Sequence, residues 1–393
     1  MIRMCSGVYP VTGKAGACLY DLTHRKLWHI GKEYADLLKV CAEGVKTVLS
    51  DAERHALEQL AENGLICFGE AAGLPDIAEL RRKTAVKQAW ITVCDACNLR
   101  CIHCYHDSAP ERRAFMALAD YRHACRELLA AGIRRVQLIG GEPLCHPDIE
   151  TMLTEAAGQF ERTEIFTNGT LLTWEICKLL AKCGVYAAVS VYSYLPEMHD
   201  RVTGRKGSHA QTLHGIEMLR AAGVPVRTAA VHMKGIETGE RNTDLYTISP
   251  VHDMIRMSGR ANAHLLTPEL LRRKQITKDR FRAPLDPERV ADAVSGNPCF
   301  AKKICIETDL RVYPCIMERR LTHGSLRDHP LTELLKPEIT GLSKDKIAGC
   351  CDCEYRYACP QCLPDALTDN PYAKPYYCTY DEQNGTWAVM KQI

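Results

Sequence analysis

Apolar positions change their period along this chain, and the changes mark its elements. Ala17 to Asp21 and Leu27 to Ile30 are short apolar runs flanking a polar Thr23-His24-Arg25-Lys26 turn, which predicts a β-hairpin. Tyr34, Leu37, Leu38 and Cys41 then fall at i, i+3, i+4 and i+7, one face of a short helix. Ser50 followed by Glu53 is a capping box. It opens a second helix through Leu57, Leu60 and Ala61 that Gly64 stops, and Leu65-Ile66-Cys67 reads as a short strand. Residues Ala71 to Lys87, with Gly73, Pro75 and the Arg81-Arg82-Lys83 cluster, read as a linker.

From Ala89 to about Gly259 strand and helix patterns alternate. Thr92-Val93 closes one strand, and Tyr121, Cys125, Leu128 and Leu129 mark a helix ending at Gly132. The strand Val136–Ile139, a helix over Ile149–Ala157 and the strand Glu164–Phe166 follow. Next come a helix over Trp174–Cys183, the strand Ala187–Val191, a helix over Gln211–Ala222 and the strand Val226–His232. Regular alternation argues for parallel strands joined by right-handed crossovers, an α/β unit.

Size and charge narrow the classes. A chain of 393 residues suits two or three domains, here expected at 1–85, 86–290 and 291–393. A net charge of +2 gives no support to a nucleic-acid or membrane-surface binder. Met1 to Gly7 lacks the apolar core of a signal peptide, and no apolar run is long enough to cross a bilayer. A cytoplasmic protein is expected. Twenty-one cysteines change the picture more. Disulfides are rare in a reducing cytosol, so metal or cluster ligation is the better account. Cys18, Cys41, Cys67, Cys125, Cys177 and Cys183 sit at apolar-periodic positions and read as core filler.

Cys97, Cys101 and Cys104 are spaced C-x3-C-x2-C on one loop. Three thiolates can hold three irons of a 4Fe–4S cluster and leave the fourth open. Structural zinc closes with four ligands, and cluster electron carriers use four cysteines, so an open iron suits a cluster that binds something else. The loop resembles the signature of the radical S-adenosylmethionine family, with His103 where relatives usually carry an aromatic residue. That resemblance implies a partial (β/α)6, TIM-like barrel with its chemistry at the C-terminal strand ends.

Further motifs fall at those strand ends. In Gly140-Gly141-Glu142-Pro143, two glycines let the backbone approach a ligand closely, and Glu142 offers an acceptor for a cationic amine. The segment resembles the family motif that binds the methionyl amino group of S-adenosylmethionine. Thr167-Asn168-Gly169 ends the next strand, as in many relatives, which makes Asn168 a cofactor contact. Relatives often read Ser-x-Asp-Gly at a later strand end, near the cofactor ribose. This chain reads Ser190-Val191-Tyr192-Ser193, so Ser190 alone carries over, with a plain strand serine as the alternative. His199 to Gly204 matches a frequent family segment, in which Arg201 reads either as a charge partner of the site or as a helix-end cation.

The last hundred residues carry Cys299-x5-Cys305-x9-Cys315, then Cys350-x2-Cys353-x5-Cys359-x2-Cys362, and Cys378. Paired zinc-ribbon motifs normally stand further apart than the five residues here. Eight cysteines suffice for two fully ligated 4Fe–4S clusters. The array resembles the SPASM domain, a C-terminal iron–sulfur extension of radical enzymes that modify peptides and proteins. By that resemblance Cys299, Cys305, Cys315 and Cys362 hold an inner auxiliary cluster, and Cys350, Cys353, Cys359 and Cys378 an outer one. Cys351 is surplus, and Leu310 stands where the family usually has glycine, which would strain a hairpin turn.

The resemblance implies three 4Fe–4S clusters, S-adenosylmethionine, and a one-electron reductant of the flavodoxin or ferredoxin type. In the family the reduced cluster cleaves S-adenosylmethionine, and the resulting 5′-deoxyadenosyl radical abstracts hydrogen from an unactivated carbon. The expected activity is maturation of a ribosomally made precursor peptide by cross-linking. A sulfatase-maturing dehydrogenase is a second reading, but those enzymes carry Asp after the third cysteine of the first auxiliary group, where this chain has Ile316. A non-catalytic peptide-binding relative is a third, opposed by the intact Cys97, Cys101, Cys104 and Glu142. The N-terminal order of hairpin, helix, helix and strand resembles a winged helix-turn-helix, as in peptide-recognition domains that add a leader peptide to a sheet edge. A structural cap is the other reading. Asp51, Glu53, Glu58 and Glu62 on the second helix would repel phosphate, so no nucleic-acid partner is expected.

Overall fold

The computed structural model describes residues 1–70, 72–240, 251–256, 258–360, 362–363 and 368–388. They form two compact units, each assembled from separated stretches of chain.

The first unit takes residues 1–84, 275–301 and 341–392. Strand β1 (Ile2–Met4) pairs antiparallel with β5 (Ile66–Phe68). Strands β2 (Val8–Thr12), β3 (Gly16–Asp21) and β4 (Lys26–Gly31) make an antiparallel sheet with β3 central and buried throughout. The expected hairpin is β3–β4. Sequence reasoning missed β2 because Pro10 interrupts its pattern, and proline is tolerated there because β2 is an edge strand.

Helix α1 (Lys32–Ala42) buries Ala35, Leu37, Leu38, Cys41 and Ala42. Tyr34, expected on that face, is instead 47% exposed, because the buried stripe is centred one residue further round. The capping box holds: Ser50 accepts from the Glu53 N–H, and Glu53 accepts from the Ser50 N–H, at the start of α2 (Asp51–Glu62). The stretch read as a linker is anchored. Ile77 is buried with Leu285 and Val290, and Arg82 pairs with Glu288 on the helix Pro287–Ser295.

The second unit takes residues 85–274 and 302–340. Strands β6 (Gln88–Cys94), β7 (Arg135–Gly140), β8 (Arg162–Thr167), β9 (Tyr186–Ser190), β10 (Val226–His232) and β11 (Val251–Met254) lie side by side, all parallel. Helices α3 (Leu118–Ala130), α4 (Ile149–Gln159), α5 (Trp174–Cys183), α6 (Pro196–Thr203) and α7 (Ser208–Ala221) fill the crossovers up to β10. This is the expected six-stranded partial barrel.

Period-two alternation sends Ala89, Ile91, Val93, Val136, Leu138 and Ile165 into the core with the helices, and Trp90, Ile139 and Phe166 into a separate cluster with Cys305 and Tyr313. Beyond β6 the sheet continues through β12 (Lys303–Ile306), β13 (Arg311–Tyr313) and β14 (Gly324–Ser325). Leu310, in the β12–β13 turn, has φ +69° and is buried. The strained turn expected at that position is therefore present. Cys18, Cys41, Cys125 and Cys177 are buried as core filler should be, while Cys67 and Cys183 are half-buried. No helix among the described residues is long and apolar enough to cross a membrane.

Candidate active site

Strand β6 ends at Cys94, and the loop carrying Cys97, Cys101 and Cys104 begins there. Three segments hold its backbone. The Gly141 and Glu142 N–H groups donate to the carbonyls of Cys94 and Ala96, at 2.9 and 2.8 Å. The Arg100 and Ile102 N–H groups donate to Thr203 and Val202, at 3.0 and 2.9 Å. The Arg260 N–H donates to Cys104, while its guanidinium reaches the carbonyls of Cys101 (2.9 Å) and Ser108 (2.7 Å) and the Asp107 carboxylate. Close approach demands glycine at three positions around this loop. A Cβ on Gly141 would lie 2.3 Å from the Ala96 carbonyl oxygen, and one on Gly259 2.3 Å from that of Cys104. A Cβ on Gly140 would meet the Cys94 oxygen in the same way. The glycines thus serve the loop's own backbone, where the sequence alone assigned them to a ligand.

Glu142 is fully buried beside this loop. Its carboxylate accepts from the Thr167 hydroxyl (2.7 Å) and the Asn168 and Leu144 N–H groups (2.6 and 3.2 Å). Burial pushes it up to about 7, against the pull of those donors, and no cationic side chain contributes. The Asn168 side chain turns to the cysteine loop, donating to Asn98 at 2.9 Å and standing 4.0 Å from the Cys97 sulfur. Ser190 is half-buried at the end of β9. Tyr192 stands at the position where relatives often carry a carboxylate, two residues beyond Ser190. Its ring meets His103 edge-on with centroids 4.6 Å apart. Arg201 lies in the last turn of α6, exposed, with its guanidinium on the Gly235 carbonyl, so the helix-end reading applies.

Sequence reasoning missed Gly259 and Arg260, which carry no motif. It also missed His209, buried beside His199; each has an Nε2 without a hydrogen-bond partner among the described residues.

The donor chemistry fits the expected groups. Cys97 is buried, and desolvation, with Glu142 adding, drives its thiol far above the ordinary range. Cys101 is pushed up to about 12, first by burial and then by Cys104. These two thiols stay protonated unless a metal displaces the proton, and with Cys104 on the same loop they make a soft donor set suited to iron. Glu142, an isolated buried carboxylate, fits an incoming cation.

In the first unit, burial likewise raises Cys350 to about 12, with Cys359 and Cys378 adding, and raises Cys353 with Cys359 and Cys350 adding. Cys350 and Cys353 thus each lie within electrostatic reach of two other tail thiols. Of the other four tail cysteines, Cys305 is buried on β12, Cys315 follows β13 half-buried, Cys299 is exposed and Cys362 half-buried. Among the described residues no three His, Cys, Asp or Glu side chains meet as a mononuclear metal site requires.

Comparison with known proteins matches residues 91–245 to the Radical SAM superfamily. The antilisterial bacteriocin subtilosin biosynthesis protein AlbA of Bacillus subtilis is 26% identical over 332 residues, covering 76% of this chain and 70% of that protein. The AdoMet-dependent heme synthase of Methanosarcina barkeri is 26% identical over 332 residues, covering 72% of this chain and 93% of that protein. Crystal structures of Streptococcus suis SuiB, one bound to S-adenosylmethionine and one to its precursor peptide SuiA, share the fold at TM-score 0.52. Their identity is 14% and 15%, over 95% of this chain and 99% and 98% of theirs.

Proposed function

We propose, for a chain that belongs to the radical SAM superfamily and ends in a SPASM-type cysteine-rich region, that it matures a ribosomally made precursor peptide by cross-linking its side chains. The observation carrying this reading is the cysteine loop fixed against a buried, cation-free Glu142, in a chain whose relative AlbA serves bacteriocin biosynthesis. The heme synthase relative is also AdoMet-dependent, but AlbA's place in bacteriocin biosynthesis and the likeness to SuiB favour a peptide.

In this reading Cys97, Cys101 and Cys104 hold a 4Fe–4S cluster, and Glu142 takes the amino group of S-adenosylmethionine. Gly140 and Gly141 shape the wall, while Asn168 and Ser190 line the cofactor. Cys350, Cys353, Cys359 and Cys378 hold the outer auxiliary cluster, and the SPASM resemblance assigns Cys299, Cys305, Cys315 and Cys362 to the inner one. When bound, these groups supply one-electron chemistry that begins with hydrogen abstraction from an unactivated carbon, fed by a flavodoxin- or ferredoxin-type reductant. The chain's own residues orient and exclude. Glu142 supplies the charge for the amine, and Cys97 is buried away from water.

The leader of the peptide docks on residues 1–85. Tyr34, freed from the core, stands exposed on α1 next to the edge strand β4, a position suited to strand addition.

The test is anaerobic reconstitution with S-adenosylmethionine and a short precursor encoded beside this gene, read by mass spectrometry. Each cross-link should remove two hydrogen atoms. An unmodified precursor alongside active cleavage of S-adenosylmethionine would reject the peptide reading and keep the family chemistry.

A further inference from the structure

The loop from Cys350 to Cys359 carries Cys350, Cys353 and Cys359, and the N-terminal sheet grips it. Tyr20, fully buried on β3, donates its hydroxyl to the Glu354 carbonyl at 3.0 Å and accepts from the Tyr357 and Ala358 N–H groups at 3.3 and 3.2 Å. The Glu354 side chain is wholly buried next to Cys353. Its Oε1 accepts from Nε2 of His29 on β4, at 3.0 Å, and from the Tyr380 hydroxyl, while Oε2 has no hydrogen-bond partner. A carboxylate only accepts, so the His29 proton sits on Nε2. The His29 ring also stacks on Tyr355, with centroids 5.5 Å apart and planes 5° from parallel.

The turn before β3 presses on the same loop. A Cβ on Gly13 would lie 2.4 Å from the free Glu354 oxygen and 2.7 Å from the Asp352 carbonyl oxygen, so only glycine fits. The Lys14 N–H donates to Asp352 at 2.9 Å, and Arg356 donates to the Thr12 carbonyl at 2.9 Å.

A lone surface sheet has no need of a buried carboxylate with one satisfied oxygen. Such a charge is costly in a packed interior and is kept where it serves a neighbour. Groups that bond a metal's ligands orient them, and charge and hydrogen bonds around an iron–sulfur cluster set its potential. We propose that Tyr20 and His29 are positioning residues of the outer auxiliary cluster. Tyr20 fixes the ligand loop through three backbone groups, and His29 offsets the Glu354 charge beside Cys353. The N-terminal sheet is then part of that cluster's protein shell as well as a place for a leader. The proposal rests on Cys350, Cys353, Cys359 and Cys378 being the ligands.

The experiment compares full-length, anaerobically reconstituted wild type with Cys353→Ser, His29→Ala, His29→Gln and Tyr20→Phe. It reads iron content and a potentiometric titration followed by electron paramagnetic resonance, without S-adenosylmethionine. The difference between wild type and Cys353→Ser identifies the outer cluster's signal. His29→Ala should keep its iron but lower that cluster's potential, because an uncompensated carboxylate disfavours the added electron. His29→Gln keeps an N–H donor and should return most of the shift, which a merely structural role would not produce. Tyr20→Phe should lower outer-cluster occupancy toward the Cys353→Ser level. If Tyr20→Phe is insoluble, the His29 pair decides, since His29 lies on an edge strand with its side chain 34% exposed. A wild-type potential in His29→Ala overturns the positioning role. Full iron in Cys353→Ser overturns instead the ligand assignment beneath it.

Discussion

Replacing Glu142 with Gln tests the cofactor site most sharply, because its two effects have opposite signs. The carboxylate is fully buried, and desolvation raises it from 4.5 to about 7 although Asn168, Thr167 and Leu144 donate to it. A folded value above the unfolded one means that the protonated acid stabilises the fold. That contribution is complete below 4.5 and is lost as pH rises through about 7. The interval corresponds to about 3 kcal/mol. Part of it returns in the Gln variant as the cost of an amide NH2 facing a donor, about 1–3 kcal/mol. The empty variant should therefore be as stable as wild type or more so above neutral pH.

Cofactor binding should move the other way. A charge-assisted bond to a ligand ammonium is worth about 1.5–3 kcal/mol, so Kd for S-adenosylmethionine should rise roughly 10- to 150-fold. In wild type the ligand competes with a proton, so affinity should improve about eightfold from about pH 6 to about pH 7.5. Staying below pH 8 keeps the ligand's own amino group protonated. Anaerobic titration calorimetry at both pH values, paired with thermal melts of the empty protein, gives all four quantities. An unchanged Kd in the variant, or a pH-independent one in wild type, removes Glu142 from the cofactor site.

Three further outcomes are expected. Reconstituted protein should carry about twelve irons per chain, and Cys101→Ala should abolish cleavage of S-adenosylmethionine while keeping about eight. Iron near four with zinc in the tail would refute the twin-cluster assignment. Tyr34→Ala should weaken leader binding, expected near micromolar or about −8 kcal/mol, by roughly tenfold, with Tyr34→Phe restoring it; equal affinities in fluorescence anisotropy would leave the N-terminal unit as a cap only. Leu310→Gly relieves a left-handed backbone worth roughly 1–2 kcal/mol but empties a buried leucine worth about 2–5 kcal/mol, so chemical denaturation should show net destabilisation; a stabilised variant would mean the turn strain outweighs the core contact.

The barrel was legible because its strands and helices obey clean periods, and the helix Trp174–Cys183 and strand Val226–His232 match the pattern residue for residue. Spacing located the cysteine loop, since three thiols on one loop are a local feature. What the sequence hid is non-local. Pro10 masked an edge strand, and Tyr34 matched a helical stripe that tertiary packing rotated by one position. Gly259 and Arg260 reach the loop from more than 150 residues downstream, through backbone carbonyls that leave no trace in side-chain patterning. The glycines at 140 and 141 were legible as necessary, but the reason lay in the Cys94–Ala96 backbone that they touch.

These hidden contacts bear on how the site assembles. The cysteine loop is bonded through its main chain to the Gly141–Glu142 turn, to Val202–Thr203 at the end of α6, and to Arg260. That explains why the His199–Gly204 segment matters without supplying a ligand: its carbonyls hold the two turns between the cysteines, and Gly204 admits the Arg100 carbonyl oxygen, 3.1 Å from where a Cβ would stand. A loop fixed in this way loses little conformational freedom when a metal arrives, so more of the thiolate–iron interaction appears as net affinity. Glu142 belongs to the same frame, because its N–H bonds Ala96 while its carboxylate bonds the Asn168 N–H and Thr167. The three loop thiols and the Glu142 carboxylate therefore share one hydrogen-bonded frame, which would keep them in register for the proposed chemistry.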